Sequence, residues 1–408
     1  MNVRRYFLLN VLGLLSLNGC GGSESDSQNS SQLEPGLSHE SSYEFSIKKN
    51  FNGSGDDVLR KMITSSSDSL LMLASTNSPE FVPSSVDSDD WVVKLDSKLN
   101  VVWQYNKLAE GDHYYSNIYE STDGSVYLLG QNKINLKATV AKLDSDGSFI
   151  WETEFTPTYS PYSYTFSSIA EFNGTLFVSA NEQDSDSCVD CTHSNGISFL
   201  HTLDIASGSL STGTLITSSA SIDIQSADHL IASTSGELLI AGTANSNSDS
   251  SNIGLYILAV NSGLNERFTW DSISLNEMYS HLNAATPIEL SNGNYVIHGQ
   301  MERSSDSIVS FIARDGSHLE LLHKTSSGHH NRLNPLVESE TGIVYVLFSD
   351  AKMDGQLWAI DSNNFNESLD EISFNTSYTS KFIISENTYY FGGHNVSNGN
   401  WDIVIVRE

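Results

Sequence analysis

Along most of the chain apolar and polar residues alternate with a period of two, in short runs separated by polar turns. This is the pattern of half-buried β-strands rather than of amphipathic helices. The segment Asn117 to Gln131, NIYESTDGSVYLLGQ, lies over Lys61 to Ser75, KMITSSSDSLLMLAS, with its apolar positions in step and no gap. Each reads as a strand, a polar turn and a second strand. The phrase returns as SIAEFNGTLFVSA from Ser168, LIASTSGELLIAG from Leu230, PIELSNGNYVIHG from Pro287, LVESETGIVYVLFS from Leu336 and FIISENTYYFGG from Phe382, seven copies in all.

After a variable loop each copy is followed by a third strand: WVVKLD at Trp91, TVAKLD at Thr139, FLHTLD at Phe199, YILAVN at Tyr256, SFIARD at Ser310, QLWAID at Gln356 and WDIVIV at Trp401. The first six copies then carry a fourth strand, such as NVVWQYN or SFIWETEF, but the seventh meets the chain end at Glu408. The segment Tyr43 to Asn50, YEFSIKKN, has no partner of its own and is predicted to supply the missing strand. Four antiparallel strands repeated every 45 to 60 residues or so are the signature of a propeller blade. The predicted fold is therefore all-β, a seven-bladed β-propeller of four-stranded antiparallel blades with the last blade closed by the N-terminal strand. Closure removes strand edges that would otherwise invite aggregation. A pair of β-sandwiches is the competing architecture, and it gives no reason for seven copies of one phrase.

The repeated residues have structural roles in this scheme. Asp123-Gly124, Asn173-Gly174 and Asn292-Gly293 supply positive φ for tight turns. Trp103 and Trp151, in matching fourth strands, are expected to pack between blades, and Asp96 and Asp144 to bond their own turns.

The N-terminus departs from the repeat. Arg4 and Arg5 precede an apolar run from Tyr6 to Leu17, too short to span a bilayer, which reads as an export signal over residues 1–19. Leu17, Asn18, Gly19 and Cys20 resemble the lipobox of bacterial lipoproteins, in which the Cys becomes the lipidated first residue, and Gly21 resembles the pattern of those sent to the outer membrane. Acyl chains on Cys20 would hold the protein on the membrane. Residues 20–42 are rich in Ser and form a polar tether, leaving 43–408 for the propeller. The 50 acidic residues against 20 Lys and Arg give a net charge of −30, which repels phosphate backbones and argues against nucleic acid as a partner.

The tandem KLDSDGSFIW phrase behind a lipobox resembles the quinoprotein-like (PQQ-like) β-propeller repeats of bacterial envelope lipoproteins, over residues 43–408. The resemblance implies fold more than activity. Such propellers include quinoprotein dehydrogenases and a non-enzymatic scaffold lipoprotein of the outer-membrane β-barrel assembly machinery, and no residue set of either is matched here.

Two further features carry candidate chemistry. Cys188 and Cys191 lie in the long loop DSDSCVDCTHSNG, where an oxidising envelope compartment favours a local disulfide. Zinc bound with His193 and neighbouring Asp residues, or a redox pair, are the alternatives. Asp57, Asp112, His113, His281, His329 and His330 fall where successive blades begin, on one face near the channel, and could converge on a divalent cation or polar ligand. The opposing reading is that each caps its own turn. No nucleophile elbow, helix-loop-helix calcium loop or cofactor motif is present. The expected function is that of a non-enzymatic, lipid-anchored envelope platform, a monomeric domain that binds a protein or surface glycan. A periplasmic enzyme of quinoprotein or polysaccharide-processing type is the alternative.

Overall fold

The computed structural model describes residues 47–407, apart from 52, 66–68, 82–88, 107–112, 133–134, 136, 156–162, 184–196, 247–248, 276–281, 285–286, 302–306, 325–335, 350–354, 373–377, 386–387 and 398–399. The described residues are almost wholly β, with a single 3-10 turn at Ile273–Leu275 among them. They form seven antiparallel sheets, six of which have strands that follow one another in chain order.

The first sheet comprises Asp57–Thr64, Leu70–Thr76, Asp89–Leu95 and Val101–Asn106, and the second His113–Glu120, Val126–Asn132, Ala138–Leu143 and Phe149–Phe155. The third runs through Ser163–Phe172, Thr175–Gln183 and Ile197–Leu203 to the two residues Thr214–Leu215. In the fourth and fifth sheets the leading strand is split, into Ile222–Ile224 with His229–Ala232 and into Leu282–Ala284 with Ile288–Glu289, before three further strands. The sixth holds Leu336–Glu338, Ile343–Ser349, Gly355–Asp361 and Glu367–Ile372. The seven hairpin phrases and seven third strands read from the sequence coincide with these elements.

The seventh sheet joins the two ends of the chain. Tyr378–Ser385, Thr388–Ser397 and Asn400–Arg407 are completed by Ile47–Phe51, which pairs antiparallel with the last strand from Ile47 opposite Arg407 to Phe51 opposite Ile403. The closing strand anticipated at Tyr43–Asn50 is thus seen from Ile47, and it reaches one residue further, to Phe51. Tyr43–Ser46 lie outside the described residues.

Among the described residues, side chains of neighbouring sheets pack together in clusters. Leu71, Leu73 and Val92 of the first sheet cluster with Tyr115, Ile118 and Leu128 of the second. Tyr127 and Val140 of the second meet Tyr164 and Val178 of the third, and the series continues through Phe177 with Tyr256, Ile257 with Tyr295, and Phe311 with Trp358. The leading strand of the seventh sheet lies against the sixth, and Tyr390, Ile403 and Phe51 pack with Leu59 and Trp91 of the first. This explains the near-continuous burial of the second strands, such as Leu70–Thr76, where alternation fades because both faces are covered.

The trailing strands add a repeated lock. The Trp103 indole Nε1 donates to the carbonyl of Ser145 at 3.0 Å, and Trp151 Nε1 to that of Ile205 at 3.2 Å, so each spans to the next sheet as expected. Each ring covers a glycine of positive φ, Gly147 (φ 80°) and Gly208 (φ 71°), and Phe268 treats Gly316 (φ 87°) likewise. A Cβ on Gly147 would lie 2.5 Å from the Trp103 ring, whereas one on Gly236 (φ 84°) would meet nothing within 4 Å. Gly236→Ala should therefore cost only the left-handed strain, about 1–2 kcal/mol. Gly147→Ala should cost that plus about 1–3 kcal/mol for displacing the indole. Equal losses in paired thermal melts would remove the lock.

Neighbouring sheets are also stitched by a glutamate at or next to the end of the leading strand. Glu171 accepts from Thr122 N at 3.0 Å and from its hydroxyl, Glu289 accepts from the Thr234 hydroxyl at 2.9 Å, and Glu338 from Ser291 N at 2.6 Å. Glu120 takes the Ser65 hydroxyl at 2.9 Å in the same way. Asp96 and Asp144, by contrast, serve their own turns, each accepting two backbone N–H groups.

Candidate functional site

Each complete leading strand bends once. In the first, second, third and seventh sheets the register slips across Arg60, Ser116, Ser167 and Ser380, leaving one residue without an opposite number. In the fourth sheet the amides of Gln225 and Ser226 both donate to the Thr243 carbonyl, and pairing resumes at His229 opposite Ala241. An extra residue on one strand bends it and re-aims the side chains beyond it. The positions after the bulge are Lys61, Asn117, Ser168 and, by register, Lys381, with His229 at the corresponding place in the fourth sheet.

Lys61, Asn117, Ser168 and His229 line one cavity of about 390 Å³, with apolar wall from Ile63, Ile118 and Ile169 and further polar groups from Tyr119 to Thr122. Each of four successive sheets thus contributes a polar residue from the same place on its leading strand. Asn117 is held rigidly: its Nδ2 donates to the Ser167 carbonyl at 2.8 Å and its Oδ1 accepts from Ile118 N at 2.9 Å. The Ser168 hydroxyl accepts from Leu230 N at 3.0 Å, fixing the third leading strand to the fourth. The Tyr119 hydroxyl accepts from Glu171 N at 3.0 Å, and burial pushes its phenol up. The Glu120 carboxylate is matched by Lys94 Nζ at 2.9 Å.

Lys61 differs from these. Among the described residues its ammonium has no hydrogen-bond or ion-pair partner, and burial holds it below the usual lysine range. Lys61 is half-buried; a cation partly removed from water without a counter-ion is costly, and an anion brought beside it would recover part of that cost.

The rim residues picked from the sequence are placed differently. Asp57 is fully buried, and its carboxylate accepts from the Thr76 hydroxyl, from Ser78 Oγ at 3.1 Å and from Gly53 N at 3.1 Å, so it caps its own turn. His113 begins the second leading strand opposite Asn132, and its side chain lies outside the described residues. Asp112, His281, His329 and His330 also lie outside them, as do Cys20, Cys188 and Cys191. Among the described residues no three His, Cys, Asp or Glu side chains gather as metal ligands would. The polar residues that do converge sit four positions beyond Asp57 and its equivalents on the same strands. Their signal lies in the repeat itself, since Lys61, Asn117 and Ser168 are the first residues of the first three phrases.

No protein-family model matches the sequence, and no curated protein matches it. Among solved structures, the chain is similar to a puromycin hydrolase (S511A mutant, 10% identity, TM-score 0.52) over 84% of its own length and 50% of that chain. It is similar to a Mycobacterium tuberculosis puromycin-hydrolyzing peptidase (11% identity, TM-score 0.51) over 86% of itself and 53% of that chain. It thus spans about half the length of these two proteins. The polysaccharide lyase Uly1 is similar along nearly its whole length, with 92% of this chain and 93% of that one covered, 8% identity and a TM-score of 0.50. At such identities the likeness is one of fold, an all-β, propeller-like arrangement of four-stranded antiparallel sheets.

Proposed function

We propose that residues 43–408 form a closed seven-bladed β-propeller, held on the bacterial envelope through lipidated Cys20, and that the cavity lined by the leading strands of its first four sheets binds a carbohydrate. Support for the ring comes from the order of packing, in which each of the seven described sheets rests on the next and the seventh returns to the first. The observation that carries the function is the cavity itself. Its volume of about 390 Å³ lies in the range of small-molecule sites, and it sets hydroxyl and amide groups beside isoleucine walls. Such mixed walls suit a sugar, whose rings carry hydroxyls at the edge and C–H groups on the faces.

The test is a glycan array probed with the mature protein and with Thr64→Trp, a bulky change at an exposed residue lining the same cavity. Wild type should retain a defined set of glycans that Thr64→Trp loses. Failure of the wild type to retain any would reject the carbohydrate reading.

A second reading is favoured by the presence of Lys61, Tyr119 and His229 around one cavity, because all three side chains can move protons. On this reading the protein processes a polysaccharide, as the name of the lyase of similar fold suggests for that protein. Chain shortening of a retained glycan on prolonged incubation would support it, and glycan recovered intact would leave binding alone.

A further inference from the structure

The cavity wall is electrostatically uneven. Glu120, its one acidic side chain among the described residues, is matched by Lys94 at 2.9 Å and by the Ser65 hydroxyl at 2.9 Å. Lys61 has no such match among the described residues, so the wall presents an uncompensated cation, in a protein whose net charge is −30. The opposite arrangement, an open carboxylate, would be far easier to draw from this composition. Asn117 stands at the same register position on the next strand, its amide fixed by Ser167 and Ile118. Lys381 stands at that position on the seventh sheet's leading strand.

Resting on the carbohydrate reading, the geometry points to an acidic sugar as the ligand: a carboxylate or sulfate on the ring seats against the Lys61 ammonium, with the hydroxyls read by the neighbouring polar groups. A charge-assisted hydrogen bond in a partly enclosed site is stronger than a neutral one, which gives the acidic sugar its advantage over a neutral analogue of the same shape. The ammonium is a point donor without a fixed fork, so Lys61 alone selects charge and leaves the choice between carboxylate and sulfate to the probes.

The inference is tested by calorimetry with three probes: an oligogalacturonate, its carboxyl-reduced neutral counterpart, and a sulfated galactan oligosaccharide. Wild type should bind at least one acidic probe about tenfold or more tighter than the neutral one. Lys61→Gln should erase that preference, Lys61→Arg should keep part of it, and Lys98→Gln, at an exposed turn lysine, should leave it intact. Because Lys61→Gln removes a half-buried cation that has no counter-ion among the described residues, its melting temperature should equal or exceed that of wild type, a response a structural lysine would not give. Equal affinity for neutral and acidic probes would overturn the inference while leaving carbohydrate binding in place. Absence of binding by all three would count against both, and loss of binding with a lowered melting temperature would make Lys61 structural.

Discussion

Deletion of Tyr43–Phe51 is expected to abolish cooperative thermal unfolding and to send the protein to the insoluble fraction. Ile47–Phe51 supplies the fourth strand of the seventh sheet, with Lys49 opposite Ile405 at the centre of its register. Without it, the backbone of Asn400–Arg407 is left as an open edge ready to pair with another chain. The loss is not confined to hydrogen bonds. Phe51 is 4% exposed, stands edge-on to Trp91 with ring centroids 5.4 Å apart, and belongs to the cluster that joins the last sheet to the first. Phe51→Ala separates the two contributions, because it keeps the pairing and removes the ring. It should cost about 3–5 kcal/mol, the usual loss for a buried aromatic, with solubility retained. A truncated protein that melts like its parent would rule out closure by this strand.

The closing strand is legible in the sequence because of an arithmetic mismatch, six fourth strands for seven phrases. The sheets are legible because alternation and Asp-Gly or Asn-Gly turns are local properties, and the turns carry the positive φ expected at Asn173, Gly124, Gly174 and Gly293. Hidden from the sequence is how one sheet addresses the next. A period of two says which face a residue occupies, but the bulges at Arg60, Ser116 and Ser167 add a residue on one strand only and re-aim the side chains beyond them. Asp57 therefore shares a strand with Lys61 but is taken up by its own turn, and Lys61 reads in sequence as no more than the opening residue of a repeated phrase. The glutamate stitches are concealed for a related reason. Glu120, Glu171, Glu289 and Glu338 recur in four phrases, yet each acts on a hydroxyl some 50 residues earlier in the chain, Thr122 for Glu171 and Ser291 for Glu338.

Arg60 and Asp90 are equally hard to single out by pattern, and their pairing leads to the second large effect. Asp90 reads in sequence as part of an acidic run, yet its side chain is only 2% exposed and that of Arg60 11%. The guanidinium leaves the bulge of the first leading strand, pairs with Asp90, donates to the Tyr115 carbonyl at 2.9 Å, and lies 4.0 Å from the Tyr114 ring centre. Asp90 in turn accepts from Tyr115 N at 2.8 Å. One ion pair thus holds both backbone polar groups of a residue in the neighbouring sheet. Asp90→Ala should cost about 3–5 kcal/mol, since it strands a buried guanidinium and leaves the Tyr115 amide unpaired. Asp90→Asn, which keeps an acceptor for that amide, should cost less. The double variant Arg60→Met with Asp90→Ala should lose clearly less than the two single losses added together, because the second substitution removes the stranded charge. Urea denaturation of wild type, the two single variants and the double variant gives the coupling directly. Simple additivity would mean that Asp90 acts on the Tyr115 backbone alone and that the ion pair contributes nothing to the seam between the first two sheets.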